Sequence, residues 1–129
     1  MNGYLLDTST ALVALAAPAR LPAKVRSALL AGPNVLSVVC YWEVLLKSMK
    51  GRLDVGDPRA WWRDALDQLA ARPLALRPQH VAEVYTLPLH HKDPFDRILI
   101  AQAIAEELAL VTTDEEIPRY ASARLRVIT

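Results

Sequence analysis

The feature that most constrains this chain is the alternation of very short, unbroken apolar runs with segments that carry helix-start signals. Tyr4-Leu5-Leu6, Asn34-Val35-Leu36-Ser37-Val38 and Leu110-Val111-Thr112 lack the apolar/polar alternation of a half-exposed strand, so they read as strands buried on both faces. Helical segments lie between them. Thr8 and Ser9 offer caps for a helix over residues 9–17, Pro22 opens a second that stops at Gly32, and a third runs through Tyr41–Lys50 to Gly51. Asp57-Pro58 and Asp93-Pro94 each put a capping acid before a proline at the first helical position. The first predicts a helix to about Arg72, and the second opens Phe95–Leu108. Leu74–Arg77 is the candidate third strand, a helix runs from Pro78 toward Leu87, a short one lies near Glu115–Tyr120, and Leu125–Ile128 is the last strand. Buried strands separated by helices imply an α/β fold, a short parallel sheet with helices on both faces.

At 129 residues the chain, 1–129, is read as one domain, because two would each lack core. Its 53 % hydrophobic and 22 % charged residues exclude a disordered chain and leave apolar surface that suits a subunit or partner interface. The lone Cys40 has no disulfide partner and reads as a small buried residue. The first twenty residues lack a basic leader, and their apolar run carries Asp7 and breaks at Pro18, so neither a signal peptide nor a membrane span is expected. A cytoplasmic protein follows. Net charge is only +1, but residues 1–52 hold six Lys/Arg against two acids and residues 53–129 nine against twelve. The basic excess around Lys47, Lys50 and Arg52 can meet phosphates or simply solvate a helix end.

In open parallel sheets, ligands bind beyond the carboxyl ends of the strands. Asp7 ends the first strand, Asp114 follows the Leu110–Thr112 strand, Glu43 lies about one turn into the helix after the second strand, and Asp96 stands in the first turn of its own helix. All four acids can face one rim. Each also has a local reading. Asp7 and Asp114 can cap the helices that follow them, Glu43 can pair with Lys47 at i,i+4, and Asp96 suits a helix dipole. Together they would repel unless a cation joined them, and hard oxygen ligands point to Mg²⁺ or Mn²⁺.

The segments LLDTSTALVAL, LSVVCYWEVLLKSMKGRL, HHKDPFDRILIAQA and LALVTTDEEI, in this order and spacing, resemble the PIN-domain nucleases, and among them the VapC-like toxins of bacterial toxin–antitoxin pairs. The resemblance runs from Leu5 to about Ile128. It implies a three-layer α/β/α fold and matches Asp7, Glu43, Asp96 and Asp114 to the family's acidic site residues, with Asp7 and Asp96 closest to the metal. Thr113 falls where the family's site is commonly lined by a small hydroxyl residue. A homodimer and a small antitoxin bound across the active face are further implications.

The activity this suggests is hydrolysis of an RNA phosphodiester by a metal-activated water, leaving a 5′-phosphate and a 3′-hydroxyl. Lys47, Lys92 and Arg97 are candidate substrate contacts. His90 and His91 read as solvent-exposed loop residues near the rim, and Trp42, Trp61 and Trp62 as packing residues, with base stacking as the alternative. Two other classes stay open here: a phosphoaspartate signalling module, for which no Lys follows Lys92, and a non-catalytic PIN-like binding module. An aspartyl-phosphate phosphatase needs an acid two residues after its nucleophile, where this chain has Ser9.

Overall fold

The computed structural model describes residues 2–129. Strand β1 (Tyr4–Leu6) leads into helices α1 (Thr8–Ala16) and α2 (Ala23–Ala31), then β2 (Asn34–Ser37), α3 (Val38–Met49) and α4 (Pro58–Gln68). Strand β3 (Ala71–Leu74), helices α5 (Pro78–Val84) and α6 (Pro94–Ala105), and strands β4 (Ala109–Val111) and β5 (Val127–Ile128) complete the chain. All pairings are parallel, in the order β3-β2-β1-β4-β5.

That order positions the site. The chain steps one way along the sheet from β1 to β3, then returns to add β4 on the far side of β1. Right-handed crossovers therefore put α1 and α2 on one face and α5 and α6 on the other, giving three layers. Leu21, Val25, Ala28 and Val111 cluster with Tyr4 and Val13 on the first face. Leu5, Leu99, Ile100, Ala103 and Leu110 belong to the larger core. Beyond the carboxyl ends of β1 and β4, where the winding reverses, the sheet opens a crevice.

Local chemistry sets the strand starts. A Cβ at Gly3 would lie 2.6 Å from the Pro33 carbonyl oxygen, so only glycine lets β1 begin this close to β2. Asn34 ties β2 to two helix ends by donating to the Leu29 and Leu69 carbonyls, both at 2.9 Å. The third strand lies earlier than Leu74–Arg77, because α4 ends at Gln68 and Ala70, at φ 48°, turns the chain straight into β3. Pro73 is tolerated there because β3 is an edge strand. Helix α1 begins at Thr8, capped by Asp7 rather than by Thr8 or Ser9, and the segment near Glu115–Tyr120 is one 3₁₀ turn, Ile117–Tyr120. Cys40 is fully buried, its Sγ 3.6 Å from the Leu6 carbonyl, and burial pushes its thiol up to about 12. Among the described residues no helix is long and apolar enough to cross a membrane.

Candidate active site

Hydrogen bonds tie Glu43 to Thr8 and run from the neighbouring Asp7 through Thr112 and Asp114 to His91, and Asp96 lies against the same imidazole. Glu43, on the second turn of α3, is 4 % exposed; its Oε1 accepts from the Thr8 hydroxyl at 2.7 Å, and its Oε2 pairs with Lys47 at 2.7 Å. Asp7, next to Thr8, is 2 % exposed. Its Oδ1 accepts from the Thr10 N–H at 2.9 Å and its Oδ2 from the Thr112 hydroxyl. The Thr112 hydroxyl oxygen in turn accepts from the Asp114 N–H at 2.9 Å. Asp114 uses Oδ1 for the Glu116 N–H at 2.7 Å and turns Oδ2 to His91 Nε2 at 3.3 Å. The same Nε2 lies 3.2 Å from Asp96 Oδ2.

The local readings of these acids are thus realised together with the shared one. Asp7 caps α1, Glu43 pairs at i,i+4, Asp114 holds its own turn, and Asp96 sits in the first turn of α6. The local bonds of Asp7, Glu43 and Asp114 each fix one carboxylate oxygen and leave the other for the rim. The helix cap at Asp93-Pro94 falls to Asp93, which accepts from the Phe95 N–H at 2.9 Å and so leaves Asp96 free of capping duty.

The electrostatics of the buried acids follow from their burial. Burial raises the Asp7 carboxyl above its usual range, against the hydrogen bonds from Thr10 and Thr112, with the charge of Asp114 adding to the rise. Burial, then the charges of Asp93 and Asp7, push Asp96 up to about 7, with His91 opposing. Lys47 is held above its usual value by its hydrogen bond to Glu43. Burial dominates both rises, and the neighbouring acids add to them. His91, Asp96 and Asp114 each offer a ligand atom within 4.8 Å of the others, a grouping able to hold a metal ion.

Several weaker expectations land elsewhere. The hydroxyl in the network belongs to Thr112, and the Thr113 side chain is exposed. Arg97 is taken up by its own loop: Nη1 donates to the Pro88 carbonyl at 2.8 Å and to the Tyr120 hydroxyl at 3.2 Å, and Nη2 reaches the Val84 and Leu87 carbonyls. His90 is exposed and packs edge-on to Tyr120, but His91 is largely buried, at 16 % exposure, in the middle of the rim. Trp61 is core and Trp62 stacks on Tyr41 at 5.0 Å, whereas Trp42 is 52 % exposed and meets Phe95 edge-on. Lys47, Lys50, Arg52 and Lys92 line one cleft of about 420 Å³ that opens at Glu43 and Phe95.

The PIN-domain family model matches residues 4–123, nearly the whole chain and every acid of the rim. The chain belongs to the PIN-domain family. Solved structures with the same fold include the DNA-bound VapBC complex of Salmonella typhimurium, at 16 % identity, TM-score 0.71, and 98 % and 97 % of the two chains covered. VapBC2 of Rickettsia felis, bound to a promoter DNA fragment, has 15 % identity and TM-score 0.70, with 96 % of each chain covered. FitAcB of Neisseria gonorrhoeae has 21 % identity and TM-score 0.61, with 98 % and 96 % covered. At these identities the likeness is one of fold. No curated protein matches the chain. The four acids lie where this PIN domain's sheet reverses its winding.

Proposed function

We propose that this PIN domain, taken as the whole of residues 1–129, is a divalent-metal-dependent endoribonuclease and the toxic member of a toxin–antitoxin pair. The observation that carries the reading is the rim itself: four carboxylates brought together at the sheet's switch point, with Asp7 and Asp96 held above their usual range by burial and then by the charge of neighbouring acids. The donors fit Mg²⁺ or Mn²⁺, since the set is dominated by hard carboxylate oxygens and holds no thiolate. Asp7 and Asp96 would hold the ion most directly, with Glu43 and Asp114 completing its surroundings. Such an ion, when bound, lowers the pKa of the attacking water and offsets charge on the phosphoryl and leaving 3′ oxygens.

The protein's own groups do the positioning. Thr8 and Lys47 fix the two oxygens of Glu43, and Thr112 aligns Asp7 with Asp114, so the acids need not reorganise when substrate arrives. The cleft lined by Lys47, Lys50, Arg52 and Lys92 runs from Glu43 and gives an RNA backbone an electropositive approach. A phosphoaspartate role is disfavoured, because such a module wants a lysine at a late strand end and no lysine follows Lys92.

Solved structures with this fold include toxin–antitoxin complexes, which supports a small antitoxin as partner, and the same reading takes the protein as cytoplasmic. A homodimer is supported by exposed apolar side chains on and after α5, Val81, Tyr85 and Leu89. Light scattering should then give a mass near twice 14.3 kDa. The test of function is incubation with total cellular RNA in Mg²⁺, in Mn²⁺ and in EDTA, with the cut ends mapped. Cleavage that needs the ion and leaves 5′-phosphates supports the reading; equal cleavage in EDTA, or cleavage by Asp7→Asn in metal-free buffer, sinks it.

A further inference from the structure

At the centre of the rim stands an imidazole, that of His91, and its tautomer can be read from its partners. Nδ1 accepts the backbone N–H of Asp93 at 3.1 Å. A ring nitrogen that accepts an N–H carries no proton of its own, so the proton of the neutral ring sits on Nε2. Nε2 donates to Asp114 Oδ2 at 3.3 Å and faces Asp96 Oδ2 at 3.2 Å, an ion-pair distance, so the ring stands between the two carboxylates. The same tautomer leaves no lone pair on Nε2 for a metal, so His91 cannot be a ligand while the Asp93 bond stands.

We propose that His91 is a positioning residue that competes with the divalent ion, its Nε2–H and the ion addressing the same oxygens of Asp96 and Asp114. This rests on the metal-site reading above. His91 holds the two acids side by side and gives way when the ion loads, so it sets the ion concentration at which the site fills. The main chain behind it is anchored. The His91 N–H donates to the Tyr120 hydroxyl at 2.7 Å, and Arg97 ties Tyr120 and the Pro88 carbonyl to α6. Release of the ring is therefore a side-chain rotation that breaks the Nδ1 bond and the Asp114 bond and draws Nε2 away from Asp96, with the loop left in place.

The test is calorimetric titration of the full chain with Mn²⁺ for wild type, His91→Ala and His91→Gln, with imidazole NMR of the wild type during a Mg²⁺ titration. Losing a net hydrogen-bond competitor should make His91→Ala bind the ion roughly five- to tenfold more tightly. His91→Gln, whose amide can still donate, should stay near wild type. The His91 Nε2–H signal should move on saturation while the Tyr120 ring signals hold. Weaker ion binding by His91→Ala, an imidazole signal unmoved at saturation, or no divalent binding by wild type overturns the proposal. If His91→Ala fails to fold, the imidazole signal and His91→Gln decide. RNA cleavage run in parallel keeps the two readings apart. Ion binding that displaces His91 without any cleavage defeats the nuclease and spares this proposal; cleavage with an unmoved imidazole does the reverse.

Discussion

Helices α4 and α6 both begin on Asp-Pro, and the two starts diverge within one turn. At α4, Asp57 accepts from the Arg59 N–H at 2.9 Å, and its other oxygen meets the Arg59 guanidinium at 2.9 Å. That side chain, with the backbone bond, holds the exposed Asp57 carboxyl down to about 2. At α6, Asp93 makes the same cap with the Phe95 N–H, but the next position is apolar and the one after it is Asp96, pushed up to about 7 mainly by burial. The dipeptide sets where a helix begins. Whether the start also does chemistry depends on the third helical position and on what the sheet brings against it, here Asp114 and His91 from separate loops.

Breaking that distinction at its strongest point should give the largest effect. Asp96→Asn keeps the shape of the α6 start and removes an anionic ligand, so cleavage should fall well over about 100-fold with the far-UV spectrum unchanged. Ala60→Asp, at the equivalent place in α4, should leave cleavage at the wild-type rate. An active Asp96→Asn enzyme would remove Asp96 from the site.

The two starts should also respond to pH with opposite signs. For Asp96 the folded value, about 7, lies above the ordinary aspartate value of 3.8, so its favourable contribution is complete below about 4 and is lost as pH rises to about 7. Without divalent ion, denaturant melts should show a loss on the order of 2–4 kcal/mol over that window, and Asp96→Asn should flatten it. Added Mn²⁺ should stabilise far more at pH 8 than at pH 5. Asp57 runs the other way: its folded value lies below 3.8, so its contribution is present above about 4 and fades as pH falls toward 2. A metal-free protein whose stability is level from pH 4 to 8 would contradict the Asp96 half of the comparison.

Why the acids were legible and their companions were not follows from the same local rules. Strand-end and helix-start signals are short-range, so Asp7, Asp96 and Asp114 could be placed from neighbours a few residues away. His91 could not, because what holds it at the rim is tertiary: the Tyr120 hydroxyl accepts its N–H, and Asp114 arrives from a different loop. Thr113 against Thr112 is a matter of register, since side chains alternate across an extended segment and one residue decides which hydroxyl faces Asp7. Strand β3 was misplaced because Ala70 takes a positive φ without a glycine to announce it, and because Pro73 argues against a strand wherever the edge position is unknown.

Arg97, one residue beyond Asp96, sharpens the contrast between binding and building. Its guanidinium is spent on carbonyls of residues 84–91 and on Tyr120, so Arg97→Met should leave several acceptors unpaired and cost roughly 1–3 kcal/mol. Amide exchange should quicken across residues 85–92. Cleavage should drop less than in Asp96→Asn, and the salt dependence of RNA binding should not change, because no phosphate contact is lost. A reduced salt slope in Arg97→Met would restore Arg97 to the substrate path.

The smallest effect belongs to the caps themselves. Asn caps a helix about as well as Asp, because either side-chain oxygen accepts the N–H two residues on. Asp93→Asn should therefore cost well under about 1 kcal/mol and keep most of the activity, although Asp93 sits three residues from a group whose removal abolishes it. The change should even help in one respect. Asp93 is the largest charge contribution holding Asp96 up, after burial, so removing its charge should lower the Asp96 carboxyl and shift the stability loss to lower pH. The matched change at α4, Asp57→Asn, keeps the cap but gives up the Arg59 pair, so it should erase the acid-range slope and leave the neutral-range one alone. Paired melts and cleavage rates for the two variants decide the point. If Asp93→Asn is the inactive enzyme, the roles given to the two acids of Asp93-Pro94-Phe95-Asp96 are reversed, and the chemistry at the start of α6 lies in its cap.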